Sequence, residues 1–372
     1  MIVSLEWLRK FVDIEETPEQ LAELLSNIGL EAEPTKVPIS IPGVVIGKVE
    51  NTRKHPNADK LKICNVSDGE NINQVICGAP NVSDGQIIAY ATIGAILPGN
   101  FKIKKMQIRG EESLGMICSE RELCISDEHE GIMVLPENLI LGEDFFTSYG
   151  YKFLSIELDI TPNRSDAFSH LGVARDVAAL TQRKLRQINV DPPNPNKEFN
   201  LDISLDNDLD CPRYIGGIIK NIRIGKSPDW LADYMKSIGQ KSINNIVDIS
   251  NFVLFELGHP THIFDLDKLN EKKIKVRKAK PGEKIVTLDE NEHELNDQNL
   301  LITSGDEPVA LAGIMGGLKS SVTDKTTSLL LESAYFDPVV IRKSAKSLFL
   351  STEASKRYER GVDPNGCLNA FY

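Results

Sequence analysis

The chain has 372 residues, more than one ordinary hydrophobic core accommodates, so two to four domains are expected. Hydrophobic residues make up 41% and charged residues 26%, the balance of a folded chain rather than a disordered one. A net charge of -12 excludes a generally basic, phosphate-coating protein, and the absence of an apolar run of about 18 residues excludes a membrane-spanning helix.

The first residues, Met1-Ile2-Val3-Ser4-Leu5-Glu6-Trp7, have neither the basic stretch nor the long apolar core of a secretory signal. Ser4 caps a short predicted helix carrying Leu5, Leu8, Phe11 and Val12. Thr17-Pro18-Glu19-Gln20 starts a second helix, with Thr as cap, Pro in the first turn and Gln placed for a capping box. Leu21, Leu24, Leu25 and Ile28 follow on one face, and Gly29 supplies the stop. From Val44 to Phe146 the pattern changes to short strands, predicted over 44–49, 61–66, 74–77, 86–91 and 101–105. Gly69, Gly78, Gly85, Gly94 and Gly99 punctuate them. Five short strands in about 100 residues suit a small Greek-key barrel.

A strand is predicted over 151–160. The turn Thr161-Pro162-Asn163-Arg164-Ser165-Asp166 then opens a helix through Val173, Val177 and Leu180. The Pro- and Asn-rich stretch 189–200 reads as a linker. Beyond it lie strands at 214–219, 274–278, 300–303 and 329–331, and helices at 228–238, 243–255 and 338–347. Six cysteines without a C-x-x-C pair read as buried, reduced thiols of a cytoplasmic protein.

Two groups of residues invite chemistry. In the barrel, Lys48, Lys60, Lys62, Lys102, Lys104, Lys105 and Arg109, with Arg53 and Lys54, read either as ordinary solvated positions or as one positive surface tracking a phosphate backbone. Phe101 and Ile103 are expected to face inward, and Tyr90 and Phe101 are the aromatic candidates for stacking. In the second half, His259-Pro260-Thr261-His262-Ile263-Phe264-Asp265 permits three readings. His259, His262 and Asp265 can be metal ligands of a hydrolase, although no further Cys/His cluster completes a tetrahedron. A neutral His can instead position water for hydrolysis, with Glu332 orienting the substrate. The plainest reading is structural, with His262 satisfied by Asp265. Ala312-Gly313-Ile314-Met315-Gly316-Gly317 has the wrong spacing for a dinucleotide fingerprint, and no G-x-S-x-G elbow is present.

The stretch from His55 to Val66 (HPNADKLKICNV) resembles the opening of the tRNA-binding oligonucleotide/oligosaccharide-binding (OB) module. Together with Ser4-Leu5-Glu6-Trp7-Leu8, Val75-Ile76-Cys77-Gly78-Ala79-Pro80-Asn81-Val82, Gly115-Met116-Ile117-Cys118-Ser119-Glu120 and the Thr161 turn, it resembles the β-subunit family of bacterial phenylalanyl-tRNA synthetases. Val247-Asp248-Ile249-Ser250-Asn251, the His259 segment, the 312–317 glycines and the run from Ser351 to Pro364 continue the resemblance in the family's order. The family's subunit is roughly twice as long, which implies that this chain is an N-terminal fragment.

The resemblance implies a multidomain α+β fold. An OB-fold β-barrel (41–149) is inserted in a small α/β domain (1–40 with 150–190) and followed by a mixed α+β B3/B4 editing domain (200–372). It implies the β subunit of a phenylalanine-tRNA ligase that uses ATP and Mg2+ as an α2β2 assembly with an α subunit, in the cytoplasm. The implied partner is tRNA(Phe), with no DNA and no membrane. This stretch would bind tRNA and hydrolyse mischarged tyrosyl-tRNA(Phe), and no cofactor or metal is expected within it. His262, Glu332 and Thr352 match the family's editing-site residues. Pro260, Gly313, Gly316, Gly317 and Ala354 match its pocket wall, and Lys241 stands where many members carry an arginine of the pocket. The alternatives are a non-catalytic tRNA-binding protein and the metal-dependent hydrolase.

Overall fold

A computed structural model describes residues 1–188, 190–194, 201–270 and 272–372. Of the predicted linker, residues 189 and 195–200 lie outside the described residues, and 190–194 form neither helix nor strand.

The first body is a three-stranded antiparallel sheet. Its central strand, Ser155–Asp159, pairs with Ile2–Ser4 on one side and Glu31–Pro34 on the other. Chain segments more than 120 residues apart thus meet in one sheet. Local chemistry sets its helices. The Ser4 side chain accepts from the Trp7 amide and starts Leu5–Leu8, and Thr17 and Gln20 complete a reciprocal capping box for Pro18–Ser26. Trp7 is fully buried, stacked on His170 at 4.0 Å and on Phe252 at 4.7 Å, and its Nε1 donates to Glu256 at 2.7 Å. This core therefore also takes in helices Asp229–Ser237 and Asn245–Leu257 from the second half of the chain.

The barrel follows Val44–Lys54, a strand longer than its apolar start suggests. It pairs with both Ile87–Ala91 and Lys62–Ser67, and Ile72–Cys77 continues the sheet. Met116–Ile117 and Val134–Leu135 both pair with Ile87–Ala91. Closure comes from the segment before Met116: the Leu114 amide donates to the Gln74 carbonyl at 2.8 Å and the Ile76 amide to Ser113 Oγ at 3.1 Å. Val49, Cys64, Val66, Val75, Ile88 and Tyr90 fill the interior. The predicted strand 101–105 is corrected. Only Phe101–Lys102 is a strand, and it pairs with Ile96–Leu97 as a separate two-stranded ribbon. Ile103 is buried as expected, whereas Phe101 is 54% exposed.

The second half holds two sheets. The larger runs Asp202–Leu205, Lys273–Lys278, Leu300–Ser304, Glu307–Leu311 and Met315–Gly316. The smaller has Ser328–Tyr335 at its centre, flanked by Arg213–Lys220 and Thr261–Asp265. One face of the smaller sheet contributes Phe264, Leu330 and Ala334 to a core shared with the larger. Among the described residues no helix is long and apolar enough to cross a membrane.

Candidate active site and nucleic-acid surface

Register places the central pair. His262 on Thr261–Asp265 lies directly across from Glu332 on Ser328–Tyr335. Alternation along each strand puts both on the face that carries Phe264, Leu330 and Ala334. There they line a cavity of about 60 Å³, room for a few waters, with Pro260, Gly313, Gly316, Ala354 and Tyr358. Ile302, Ala310, Leu311, Ile314 and Met315 supply an apolar wall.

The electrostatics follow from burial. Glu332 is 4% exposed, and desolvation pushes its carboxyl up to about 7, opposed by one hydrogen bond in which the Tyr214 hydroxyl donates to Oε2 at 2.7 Å. Burial alone lowers His262 to about 4, so near pH 7 it is a neutral imidazole able to accept a proton. Its ring stands edge-on to Phe264, 4.5 Å between centroids. A carboxyl raised toward neutral pH and a neutral imidazole face one small cavity, an arrangement that can hold and orient a water.

Other expected site residues are placed differently. The Thr352 hydroxyl donates to the Ile314 carbonyl at 2.8 Å and accepts from the Ser355 amide at 3.0 Å, capping Glu353–Tyr358. Thr352 thus ties a cavity-wall loop to a helix and is not among the lining side chains. Lys241 is exposed and does not reach the cavity wall. Gly317 does not line the cavity either; a Cβ there would meet the Val309 carbonyl oxygen at 2.6 Å.

The metal reading does not fit the geometry. His262 and Asp265, three apart in one strand, point to opposite faces. Asp265 is occupied by the Thr326 hydroxyl at 2.6 Å and the Asp267 amide at 3.1 Å, so it does not satisfy His262. His259 is buried at 2% exposure with neither ring nitrogen hydrogen-bonded, beside Tyr358. Among the described residues no cluster of three or more His, Cys, Asp or Glu side chains is arranged to hold a metal.

Sequence reasoning missed Tyr214, Tyr358 and the apolar wall. Tyr214 reaches Glu332 only through strand pairing across 118 residues. The Tyr358 hydroxyl bridges the Pro260 and Ala334 carbonyls at 3.1 and 3.0 Å, linking the loop before His262 to the strand of Glu332.

The basic residues of the barrel differ in their partners. His55 Nδ1 accepts from the Asn57 amide and its Nε2 lies 3.0 Å from the Ile108 carbonyl, while Asn57 donates to the Arg109 carbonyl at 3.1 Å. This joins the 55–60 turn to the 106–113 hairpin and gathers exposed Lys54, Lys60 and Arg109 at one edge. Lys102 and Lys104 are exposed on the neighbouring excursion. Lys48 faces Glu50 at 3.4 Å, Lys105 faces Glu112 at 2.5 Å, and Arg53 approaches Glu111 at 4.0 Å. Lys62 Nζ donates to the Val82 carbonyl at 2.6 Å. Tyr90 is fully buried with its hydroxyl on the Leu114 carbonyl, which removes it as a stacking platform and leaves Phe101.

Residues 210–372 match the B3/4 domain family, and residues 44–144 match a tRNA binding domain family. The chain is 44% identical over 375 residues to the phenylalanine-tRNA ligase beta subunit of Syntrophus aciditrophicus (strain SB), covering 100% of this chain and 46% of that one. It is 47% identical over 367 residues to the protein of the same name from Geobacter sulfurreducens, covering 98% and 46%. The chain spans about half the length of the curated relatives it matches.

Proposed function

The chain belongs to the family of phenylalanine-tRNA ligase beta subunits, and on that premise we propose that its cavity hydrolyses tyrosine wrongly esterified to tRNA(Phe) while its barrel holds the tRNA. The observation that carries this reading is the cross-strand pairing of His262 with Glu332 inside an otherwise apolar cavity.

The need for such a site is a matter of discrimination. An apolar pocket built for phenylalanine rejects an analogue that adds a hydroxyl by only about 10²-fold. A second pocket that hydrogen-bonds the phenol reverses the preference, because phenylalanine leaves its buried acceptor unpaired. Here the phenol hydroxyl donates to Glu332, and the aromatic ring lies against Ile302, Leu311, Ile314 and Met315. Neutral His262 orients a water and takes its proton as the water oxygen bonds to the ester carbonyl carbon; the imidazolium then returns that proton to the ribose oxygen as its C–O bond breaks, leaving free tyrosine and a tRNA hydroxyl. Gly313 and Gly316 keep the walls free of side chains.

The whole enzyme joins phenylalanine to tRNA(Phe) in the cytoplasm, using ATP and Mg2+ in an α2β2 assembly with an α subunit. The ATP and metal chemistry belongs to other parts of that assembly. Within this chain, 41–149 is the tRNA-binding domain, 1–40 with 150–190 its carrier, and 200–372 the editing domain. The test is His262→Ala, which is expected to lower tyrosyl-tRNA(Phe) hydrolysis by about 10²- to 10⁴-fold; an unchanged rate contradicts the assignment.

A further inference from the structure

We propose that Tyr214 is a positioning residue for Glu332, and that their hydrogen bond sets how well the cavity distinguishes a phenol from a phenyl group. The inference rests on the editing reading above. The strand Arg213–Lys220 pairs with Ser328–Tyr335 so that Gly216 lies opposite Glu332 and Tyr214 opposite Ala334. Tyr214 is therefore the diagonal neighbour of Glu332 on the same face, within reach of a long side chain. The residue directly across on that strand has no side chain, so Tyr214 is the strand's contact with the carboxyl.

Among the described residues, Tyr214 is the one hydrogen-bond partner of Glu332, donating to Oε2 at 2.7 Å. The carboxyl is 4% exposed, so bulk water does not replace that partner. A carboxylate accepts on both oxygens. With Oε2 occupied, Oε1 is the oxygen left for a ligand, and the side chain is held in one orientation. Burial keeps the Tyr214 phenol protonated well above its ordinary range, so it stays a donor throughout the physiological span. The same bond favours the charged form of Glu332 against desolvation. The charged form is the better acceptor for an incoming phenol.

The test is a double-mutant cycle in the full-length, fully assembled enzyme, using Tyr214→Phe, Glu332→Ala and both together. Tyr214→Phe keeps the ring and removes only the hydroxyl. It is expected to lower the ratio of tyrosyl- to phenylalanyl-tRNA(Phe) hydrolysis on the order of tenfold, mainly through KM, and to move the acid limb of kcat/KM to higher pH. In the Glu332→Ala background, which has no acceptor for the Tyr214 hydroxyl, the same change should have little further effect. Equal losses in both backgrounds, or a wild-type ratio and pH profile in Tyr214→Phe, overturn this inference while leaving the editing reading intact. A wild-type enzyme that does not hydrolyse tyrosyl-tRNA(Phe) overturns both.

Discussion

The imidazole of His262 rests against the bare α-carbon of Gly316: a Cβ there would lie 2.3 Å from His262 Cε1 and 2.6 Å from Nε2. The glycine backbone is not free to retreat. Gly316 pairs with Ala310, and its carbonyl accepts the Leu288 amide at 3.0 Å. Gly316 is thus required by close approach rather than by backbone conformation.

Gly316→Ala is accordingly expected to displace the imidazole and cut single-turnover hydrolysis by about 10²-fold, the scale set by an ångström of misplacement. Overpacking should cost only about 1–3 kcal/mol of stability, so the protein remains folded. Deacylation rates beside thermal melts separate the two effects. Full activity in the folded variant would show that His262 does not need its present position.

Stability should depend on pH in a way that Glu332 opposes. Burial holds His170 at about 3 and His259 and His262 at about 4, against an ordinary 6.5. Between those limits the unfolded chain binds protons that the folded chain does not, so these groups lower stability as pH falls from 6.5 toward 4. Glu332 is raised from 4.5 to about 7, so the folded state holds the extra proton and gains relative stability as pH falls through that window. Glu332→Gln removes the opposing contribution. Its melting temperature should fall more steeply than wild type between pH 7 and 4.5, and parallel curves would contradict the environment assigned to Glu332.

We propose that Thr352 acts through structure. Thr352→Val removes both the helix cap and the bond to Ile314 and should cost about 1–2 kcal/mol, whereas Thr352→Ser should retain most of it. Chemical denaturation measures this directly. If Thr352→Val abolishes hydrolysis at unchanged stability, the hydroxyl takes part in the chemistry.

In the barrel, Lys60→Ala and Arg109→Ala should each weaken tRNA binding and reduce the salt slope by about one. Lys48→Ala, whose ammonium already faces Glu50, should leave both nearly unchanged. Titration of tRNA at several salt concentrations reads all three. A larger effect from Lys48 than from Lys60 would relocate the binding edge.

What was legible in the sequence was whatever is encoded locally. The capping box at Thr17 and Gln20, the helix of residues 338–347 and most barrel strands follow from neighbouring residues. The strand from Val44 runs past its apolar start because its polar end, Asn51 to Lys54, is held by pairing with Lys62 to Asn65 and not by its own pattern. Phe101 alternates with Ile103 as an inward residue would, yet its segment leaves the barrel, whose closure comes from Ser113 and Leu114. His262 and Glu332 were singled out by residue type and joined in one site by the resemblance. Tyr214 was not, because its role exists only in the register of two strands distant in sequence. The expectation for Thr352 comes from resemblance, and its bonds to the Ser355 amide and the Ile314 carbonyl are visible only in the structure.

The most direct measurement is the hydrolysis of tyrosyl-tRNA(Phe) and phenylalanyl-tRNA(Phe), side by side, by the wild-type enzyme and by Glu332→Ala. Selective hydrolysis of the tyrosyl ester that loses its selectivity in Glu332→Ala is the predicted result. Selectivity that survives the loss of Glu332, or a wild type that cleaves both esters alike, would contradict a phenol-recognising cavity.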